Sequence, residues 1–559
     1  MSSPVRTLPA AIFAALTGER GRRATFSFAG KSEVTLDGGA MARHIAGAAA
    51  KLRGLGLRPG QMTPILCPTS VESWTGFAGA MAAGLLPANL ALPTFKTHVP
   101  TFLRNLNALL ERYGTDTVLA NREVIDRLSP SMSRPVRWIE PEAWTGEATA
   151  GTTPEPVSDV AFLQHSSGST GVPKGVAMTH AAVIRHLDAY ADAIALDAER
   201  DVVSTWLPLY HDMGLLTSFL LPLAKGISCR SVTPETFILN PLAFLRDAAA
   251  HRATLAWWPN FTFALLADRR AQATSEVVDG LDLSSFRGLI NCSEVVMASS
   301  MDRFVGAFES HGARTTALSA SYAMAENVFA VTQSPPGSRL VRARVRVSSL
   351  EPGNAPVVES DAVDTRTLVS SGRPIADVQV RIVDTERRQI PDGVVGEVAI
   401  SGPFLFSEYL GLPEETAERK ANGWYHTRDL GFIADSELFV LGRETDLIIV
   451  GGRKFLPNEV ETIAATVRGV KAGRAVAFGV RSEEKGTEDA VAMVESPEAS
   501  DATRARTIRR EIIQSVLQQM DLSLADVRVV PEGTLIKTSS GKIARRDNRE
   551  AFLGRRREA

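Results

Sequence analysis

Cysteine is scarce: the 559 residues hold three, Cys67, Cys229 and Cys292, odd in number and far apart. That excludes a disulfide framework and a cysteine zinc site, and it fits a reducing compartment. An excess of either charge is missing too. Lys and Arg number 61 against 63 Asp and Glu, a net charge of −2, so no global field directs the chain to nucleic acid or an anionic membrane. None of the nine histidines falls in an H-E-x-x-H pattern. One long apolar stretch, residues 76–93, is interrupted by Gly84, Pro87, Asn89 and Pro93. It reads as a buried helix running into a strand, not a transmembrane segment. Residues 1–15 lack a basic start followed by an apolar core, so a cytoplasmic location is expected. What remains is ordinary for a globular enzyme, with 44% hydrophobic and 22% charged residues, and the length implies more than one domain.

The most informative stretch is Ser166-Ser167-Gly168-Ser169-Thr170-Gly171-Val172-Pro173-Lys174-Gly175. It lies between the apolar runs 160–164 and 176–178, both read as short strands, and Thr179 is placed to cap a following helix. Glycines let backbone amides turn toward an anion, hydroxyls add rotatable donors, and a lysine adds charge. The stretch suits a polyphosphate, and it also suits a flexible surface turn. Its spacing is not G-x-x-x-x-G-K-[ST].

The rest of the chain alternates. Helices are expected at 38–55 and 71–83, and strands at 62–67 and 85–92. Further strands are expected at 202–206, 253–257, 289–291 and 315–318, each ending in a polar or aromatic turn. This is the pattern of an α/β fold with a mostly parallel sheet, whose strand ends collect ligands. Residues 335–367, rich in Pro, Gly, Ser and Arg, break the alternation. A β-rich part follows at 378–383 and 396–401. Beyond about residue 445 the style changes to a small α+β unit, with strands at 475–480, 490–494 and 527–530 and a charged helix at 503–520.

Taken together, these pieces resemble the adenylate-forming superfamily of acyl-CoA synthetases, adenylation domains and luciferases. The resemblance runs from about Ala40 to Arg546. It rests on the Ser166–Gly175 loop, on Leu207-Pro208-Leu209-Tyr210-His211-Asp212-Met213-Gly214 and on Tyr322-Ala323-Met324-Ala325-Glu326. It rests equally on Tyr425–Gly431 with Asp429, followed by Gly442–Asp446, and on Thr538-Ser539-Ser540-Gly541-Lys542. Within the superfamily the chain looks most like the fatty acyl-AMP ligases, through Asp435–Arg443, Leu447–Arg453 and Trp258-Pro259-Asn260-Phe261, and residues 335–367 fall where that subgroup carries an insertion. The insertion is held to disfavour the domain pose used for CoA. The resemblance implies a large N-terminal domain over 1–442 with mostly parallel sheets and a β-rich subdomain. A hinge over 443–447 centred on Asp446 would follow, then a small mobile α+β domain over 448–559.

The implied reaction joins a carboxylic acid to ATP, giving acyl-AMP and pyrophosphate, with the acyl group passed to an acyl carrier protein. CoA is the alternative acceptor. By resemblance, Lys542 serves the acyl carboxylate and the α-phosphate, and Glu326 holds Mg²⁺. Ser166, Ser167, Gly168, Ser169, Thr170, Gly171 and Lys174 meet the phosphates. Tyr322, Ala323, Met324, Ser293 and Glu294 meet adenine, and Asp429 meets the ribose with Arg443 nearby. His211, Trp258, Asn260 and Phe261 form the acyl side, with His211 near the carboxylate. Each has a plain structural use as well: a solvated lysine, a helix-start glutamate, a core aromatic, a structural ion pair, a buried histidine or a turn aspartate.

Several positions depart from the family pattern. His165 stands for an aromatic, Cys292-Ser293-Glu294 for glycine-alanine-glutamate, Arg428 for glycine, and Trp257-Trp258 for small residues. Two indoles in the acyl region predict a bulky, cyclic or shortened acid in place of a plain long chain. A nucleotide sensor without chemistry is disfavoured by the presence of Lys542, Glu326 and Asp429 together, and nothing selects a luciferase-like oxidation.

Overall fold

A computed structural model describes residues 7–29, 33–93, 99–148, 158–166, 172–346, 349–356, 365–450, 453–482, 487–538 and 542–558. Its centre is a nine-stranded sheet. Six strands run parallel side by side: Thr25–Ala29, Ser228–Val232, Val202–Thr205, Leu255–Trp258, Gly288–Asn291 and Leu318–Ala323. Antiparallel strands close both edges. The central strands Leu255–Trp258 and Gly288–Asn291 are buried at every position, as expected where both faces of a parallel sheet are covered. A second, four-stranded parallel sheet carries Met62–Leu66 and Leu86–Asn89. Between them lies helix Val71–Ala82, capped by the Ser70–Ser73 capping box, which satisfies two amides that the helix itself leaves open.

The expected strands and helices are present, with one correction. Residues 315–317 form a 3₁₀ turn, and the strand begins only at Leu318 and runs to Ala323. Ser319, Ala320 and Ser321 carry little intrinsic strand preference, yet they are buried between neighbouring strands, so packing overrides propensity. Thr179 caps helix His180–Ala193, its hydroxyl accepting from the Ala182 amide at 3.2 Å. In the stretch read as irregular, the strands Arg342–Arg346 and Thr365–Val369 pair antiparallel.

The β-rich part is an antiparallel sheet containing Gln379–Val383, Gly396–Ser401, Trp424–Ala434 and Glu437–Arg443. The 3₁₀ turn Glu444–Asp446 follows. Past it, Ile448, Val460, Ala477, Val494, Ile512 and Val516 form a core to which, among the described residues, nothing before Ile448 contributes. That core lies between a three-stranded sheet and the helices Pro457–Thr466 and Ala502–Met520. Among the described residues no helix is long and apolar enough to cross a membrane.

Candidate active site

Four adjacent parallel strands bring their carboxyl ends to one rim. In sheet order they are Leu318–Ala323, Gly288–Asn291, Leu255–Trp258 and Val202–Thr205. The rim therefore gathers Tyr322 and Glu326, then Ser293 and Glu294, then Asn260 and Phe261, then His211. Crevices outside such strand ends are where open α/β sheets bind ligands.

Lys542 reaches this rim from the far end of the chain, its Nζ donating to the Ser293 carbonyl at 2.5 Å. Ser293 has a left-handed backbone, φ 77°, and its hydroxyl faces the Met213 sulfur at 3.6 Å. A non-glycine residue in that region is uncommon, and here it is the residue whose carbonyl meets the ammonium. The charge of Lys542 is felt by groups at two strand ends. Burial, then the ammonium, pushes His211 down to about 3, so its imidazole is neutral at pH 7. Burial raises the Asp212 and Glu294 carboxyls above the usual carboxylate range, and Lys542 opposes both shifts. For Glu294 the Phe261 and Asn260 amides pull the same way as Lys542.

A second group lies at the end of the strand Leu318–Ala323. The Tyr322 hydroxyl donates to Asp429 Oδ2 at 2.6 Å, and Arg443 Nε stands 3.4 Å from Asp429 Oδ1. Asp429 and Arg443 are directly opposed on the antiparallel strands Trp424–Ala434 and Glu437–Arg443. Burial raises the Asp429 carboxyl, and the Arg443 guanidinium holds it down. Ala323 sits at a bulge in its strand, and the Met324 amide donates to the Phe329 carbonyl at 2.9 Å.

Glu326 lies in the 3₁₀ turn Ala325–Asn327, followed by Val328 at φ 63°. Its Oε1 accepts from the Tyr409 hydroxyl at 2.6 Å. Tyr409 in turn contacts the Tyr425 hydroxyl at 3.0 Å, and Arg419 Nη2 donates to Tyr425 at 3.3 Å. Lys174 sits over the Tyr409 ring, 5.4 Å from its centroid, and forms an ion pair with Glu415. Tyr409, Arg419 and Glu415 are absent from the sequence reading, since they lie in turns and a short helix with no periodic or motif signal. Of the glycine-rich loop, Ser167, Gly168, Ser169, Thr170 and Gly171 lie outside the described residues, and for Ser166 only the backbone is described, paired with Lys174.

The residues expected on the acyl side divide. Phe261 is partly exposed and edges against Trp206 at 5.9 Å, which stacks on Phe237 at 4.2 Å. Trp258 is enclosed by Phe244, Phe263, Phe286 and Phe304 at centroid distances of 5.3–6.4 Å. The Asn260 amide accepts from Asn291 and the Met297 amide and donates to Ser300, which ties three elements together. Trp257 Nε1 donates to the Tyr190 hydroxyl at 2.7 Å. So the Trp258 and Asn260 side chains have internal partners, while the Asn260 backbone amide still faces Glu294 beside Lys542.

A parallel sheet whose rim carries a Tyr–Asp–Arg group, a partly buried glutamate held by a tyrosine and a lysine delivered by a separate terminal unit defines an adenylate-forming ligase. The comparisons agree. The AMP-binding enzyme model matches residues 14–410, and the chain belongs to that family. It is 30% identical over 518 residues to the long-chain-fatty-acid–AMP ligase FadD26 of Mycobacterium marinum, covering 87% of this chain and 86% of that protein. It is 31% identical over 512 residues to JamA of Moorena producens, a medium-chain-fatty-acid–[acyl-carrier-protein] ligase, covering 88% and 85%. A solved structure from a study of fatty acyl-adenylate ligases of E. coli and L. pneumophila superposes with a TM-score of 0.89 at 26% identity over 99% of both chains.

Proposed function

We propose that the chain converts a carboxylic acid and ATP to acyl-AMP and pyrophosphate, then passes the acyl group to the thiol of an acyl carrier protein. The observation that carries this is Lys542 Nζ at the Ser293 carbonyl, on the strand-end rim. In the first step a carboxylate oxygen attacks the α-phosphorus, the bond to the bridging oxygen breaks, and pyrophosphate leaves. Negative charge gathers on the phosphate oxygens, and a fixed cation there lowers the barrier. Lys542 is that cation. In the second step a thiol attacks the acyl carbonyl and AMP departs. Neutral His211 lies beside the carboxylate without adding a second positive charge.

Asp429 accepts from the ribose hydroxyls, oriented by Tyr322 and Arg443. The adenine lies against Tyr322, Ala323 and Met324, with Ser293 and Glu294 at its edge. The loop 166–171 with Lys174 holds the outer phosphates, and Lys174 exchanges its Glu415 partner for them. Among the described residues no three His, Cys, Asp or Glu side chains gather to hold a metal alone. One carboxylate with substrate phosphates fits Mg²⁺, which is held by few protein oxygens. Glu326 would hold it, and the ion would supply charge neutralisation on the phosphates. Residues 1–442, 443–447 and 448–559 act as large domain, hinge at Asp446 and mobile tail, in a cytoplasmic enzyme. Asp446→Pro, which fixes φ at the pivot, should slow acyl transfer; transfer at the wild-type rate would argue against the hinge.

The acid side is proposed to take a bulky, cyclic or shortened acyl group, with Phe261 at its wall and the Trp258 cluster closing its depth. His211, Trp258, Asn260 and Phe261 shape that side, Trp258 and Asn260 by holding the fold around it. Equal turnover of palmitate and a compact ring acid in competition would count against this. A CoA-dependent synthetase is the second reading. Incubation with a panel of acids and ATP, with and without CoA and a phosphopantetheinylated carrier, decides between them by mass detection of acyl-AMP and the thioesters. Release of pyrophosphate with no acid of the panel would overturn the proposal.

A further inference from the structure

The segment that delivers Lys542 is tied to the connecting turn by one side chain. Arg545 opens the helix Arg545–Glu558, three residues past Lys542. Its guanidinium is engaged on three sides. One nitrogen pairs with Asp446, Nη2 donates to Glu461 Oε1 at 2.9 Å, and Nε donates to the Ala477 carbonyl at 3.0 Å. Glu461 and Ala477 belong to the tail itself, on helix Pro457–Thr466 and strand Ala475–Ser482. Asp446 belongs to the turn Glu444–Asp446, which directly follows the strand ending in Arg443.

The loop between Arg545 and Lys542 transmits position. The Thr538 amide donates to the Lys542 carbonyl at 2.7 Å, and the Ala544 amide to the Ile536 carbonyl at 2.9 Å. The Asn548 side chain clamps both strands of this loop, accepting from the Ile536 amide at 2.9 Å and donating to the Ile536 and Ala544 carbonyls at 2.8 Å. A displacement of Arg545 is therefore a displacement of Lys542. Of Arg545's partners, Asp446 is the one that refers the tail to the strand pair presenting Asp429 and Arg443. A change of ψ at Asp446 turns the following chain relative to the Asp446 side chain, so a tail turned about that bond parts the ion pair.

We propose that the Arg545–Asp446 ion pair is a positioning latch for the first half-reaction. It fixes the tail where Lys542 meets the rim, and it opens when the tail turns for acyl transfer. Arg545 and Asp446 are positioning residues, acting through Lys542. The proposal rests on the two-step reading above and assigns to this pair the choice between the steps.

The test uses the full chain and its variants Asp446→Asn, Arg545→Lys and Glu461→Gln. Single-turnover acyl-AMP formation is measured with the acid the wild type uses best. Acyl transfer is measured separately, from supplied acyl-AMP to pantetheine, and melting is followed throughout. Asp446→Asn removes the charge and keeps the volume. It is expected to slow adenylation by about 10- to 100-fold, the scale of a misplaced catalytic group. The KM for ATP should stay within about threefold, and transfer should be unchanged or faster. Arg545→Lys, which keeps the charge, should fall between wild type and Asp446→Asn. Glu461→Gln breaks a contact within the tail, so it should lower melting and change both half-reactions alike. Equal slowing of both half-reactions by Asp446→Asn, or normal adenylation, would overturn the latch. Failure of the wild type itself to form acyl-AMP would remove the reading beneath it, a result distinct from a wild type that adenylates and a variant that does not discriminate.

Discussion

The two halves of the rim are built differently. On the proposed nucleotide side Tyr322, Asp429 and Arg443 are linked across three strands, and Glu326 is held through Tyr409 to Tyr425 and Arg419. On the proposed acid side Lys542 meets the large body, among the described residues, through a hydrogen bond to a backbone carbonyl. The first is a preorganised socket, whose side chains are fixed before any ligand arrives. The second is a contact made by a separately cored unit that is positioned through its connector. The proposed two steps in one cleft call for this asymmetry: on that reading the nucleotide stays put and the cation is withdrawn to admit a thiol.

The sharpest structural break of that comparison is Trp258→Ala. It empties a site enclosed by four phenylalanines and should cost about 3–5 kcal/mol of stability, read by denaturant unfolding. If that cluster closes the acyl side, surviving protein should also gain turnover of longer acids. Next, Asp429→Ala should weaken ATP binding by about 2–3 kcal/mol, roughly 30- to 150-fold, read by calorimetry. Transfer from supplied acyl-AMP should keep its kcat, because the tail is untouched; a fall in kcat would mean that the two sides are not separable.

His186 offers a pH test of the rigid side. It is fully buried, Nε2 donates to the Ala330 carbonyl at 3.2 Å, and burial pushes it down to about 4. The unfolded chain binds that proton near pH 6.5, so stability is complete above about 6.5 and is lost as pH falls toward 4. By pH 5 the loss is about 2 kcal/mol for this residue. Other buried histidines are pushed down as well, so His186→Phe should lessen the slope of the melting profile between pH 6.5 and 4.5 by this residue's share; an unchanged slope would contradict the burial argument. The smallest effect is Tyr322→Phe, which removes one donor to Asp429 and should cost about 1 kcal/mol of ATP binding.

Much of this was legible in the chain. Apolar runs ending in Cys292-Ser293-Glu294 or Leu207–Gly214 announced parallel strands with chemistry at their ends, because a doubly covered strand leaves no alternative pattern. The strand through Tyr322 was misplaced because Thr315 and Thr316 look like strand residues and Ser319 to Ser321 do not, while burial decides otherwise. Tyr409 and Arg419 were missed because their role exists only once the β-rich sheet folds against the rim. The internal partners of the Asn260 side chain were not legible for the same reason: they come from the strand Gly288–Asn291 and the start of the helix Ala298–Phe308, and no spacing in the chain announces them.

The central claim is that the cation driving adenylation is carried by the tail. Lys542→Ala tests it most directly, by single-turnover formation of acyl-AMP at saturating ATP and acid. The account predicts a loss of about 3 kcal/mol or more of transition-state stabilisation, at least roughly 100-fold in rate, with transfer from supplied acyl-AMP retained. Near-normal adenylation by that variant would contradict it.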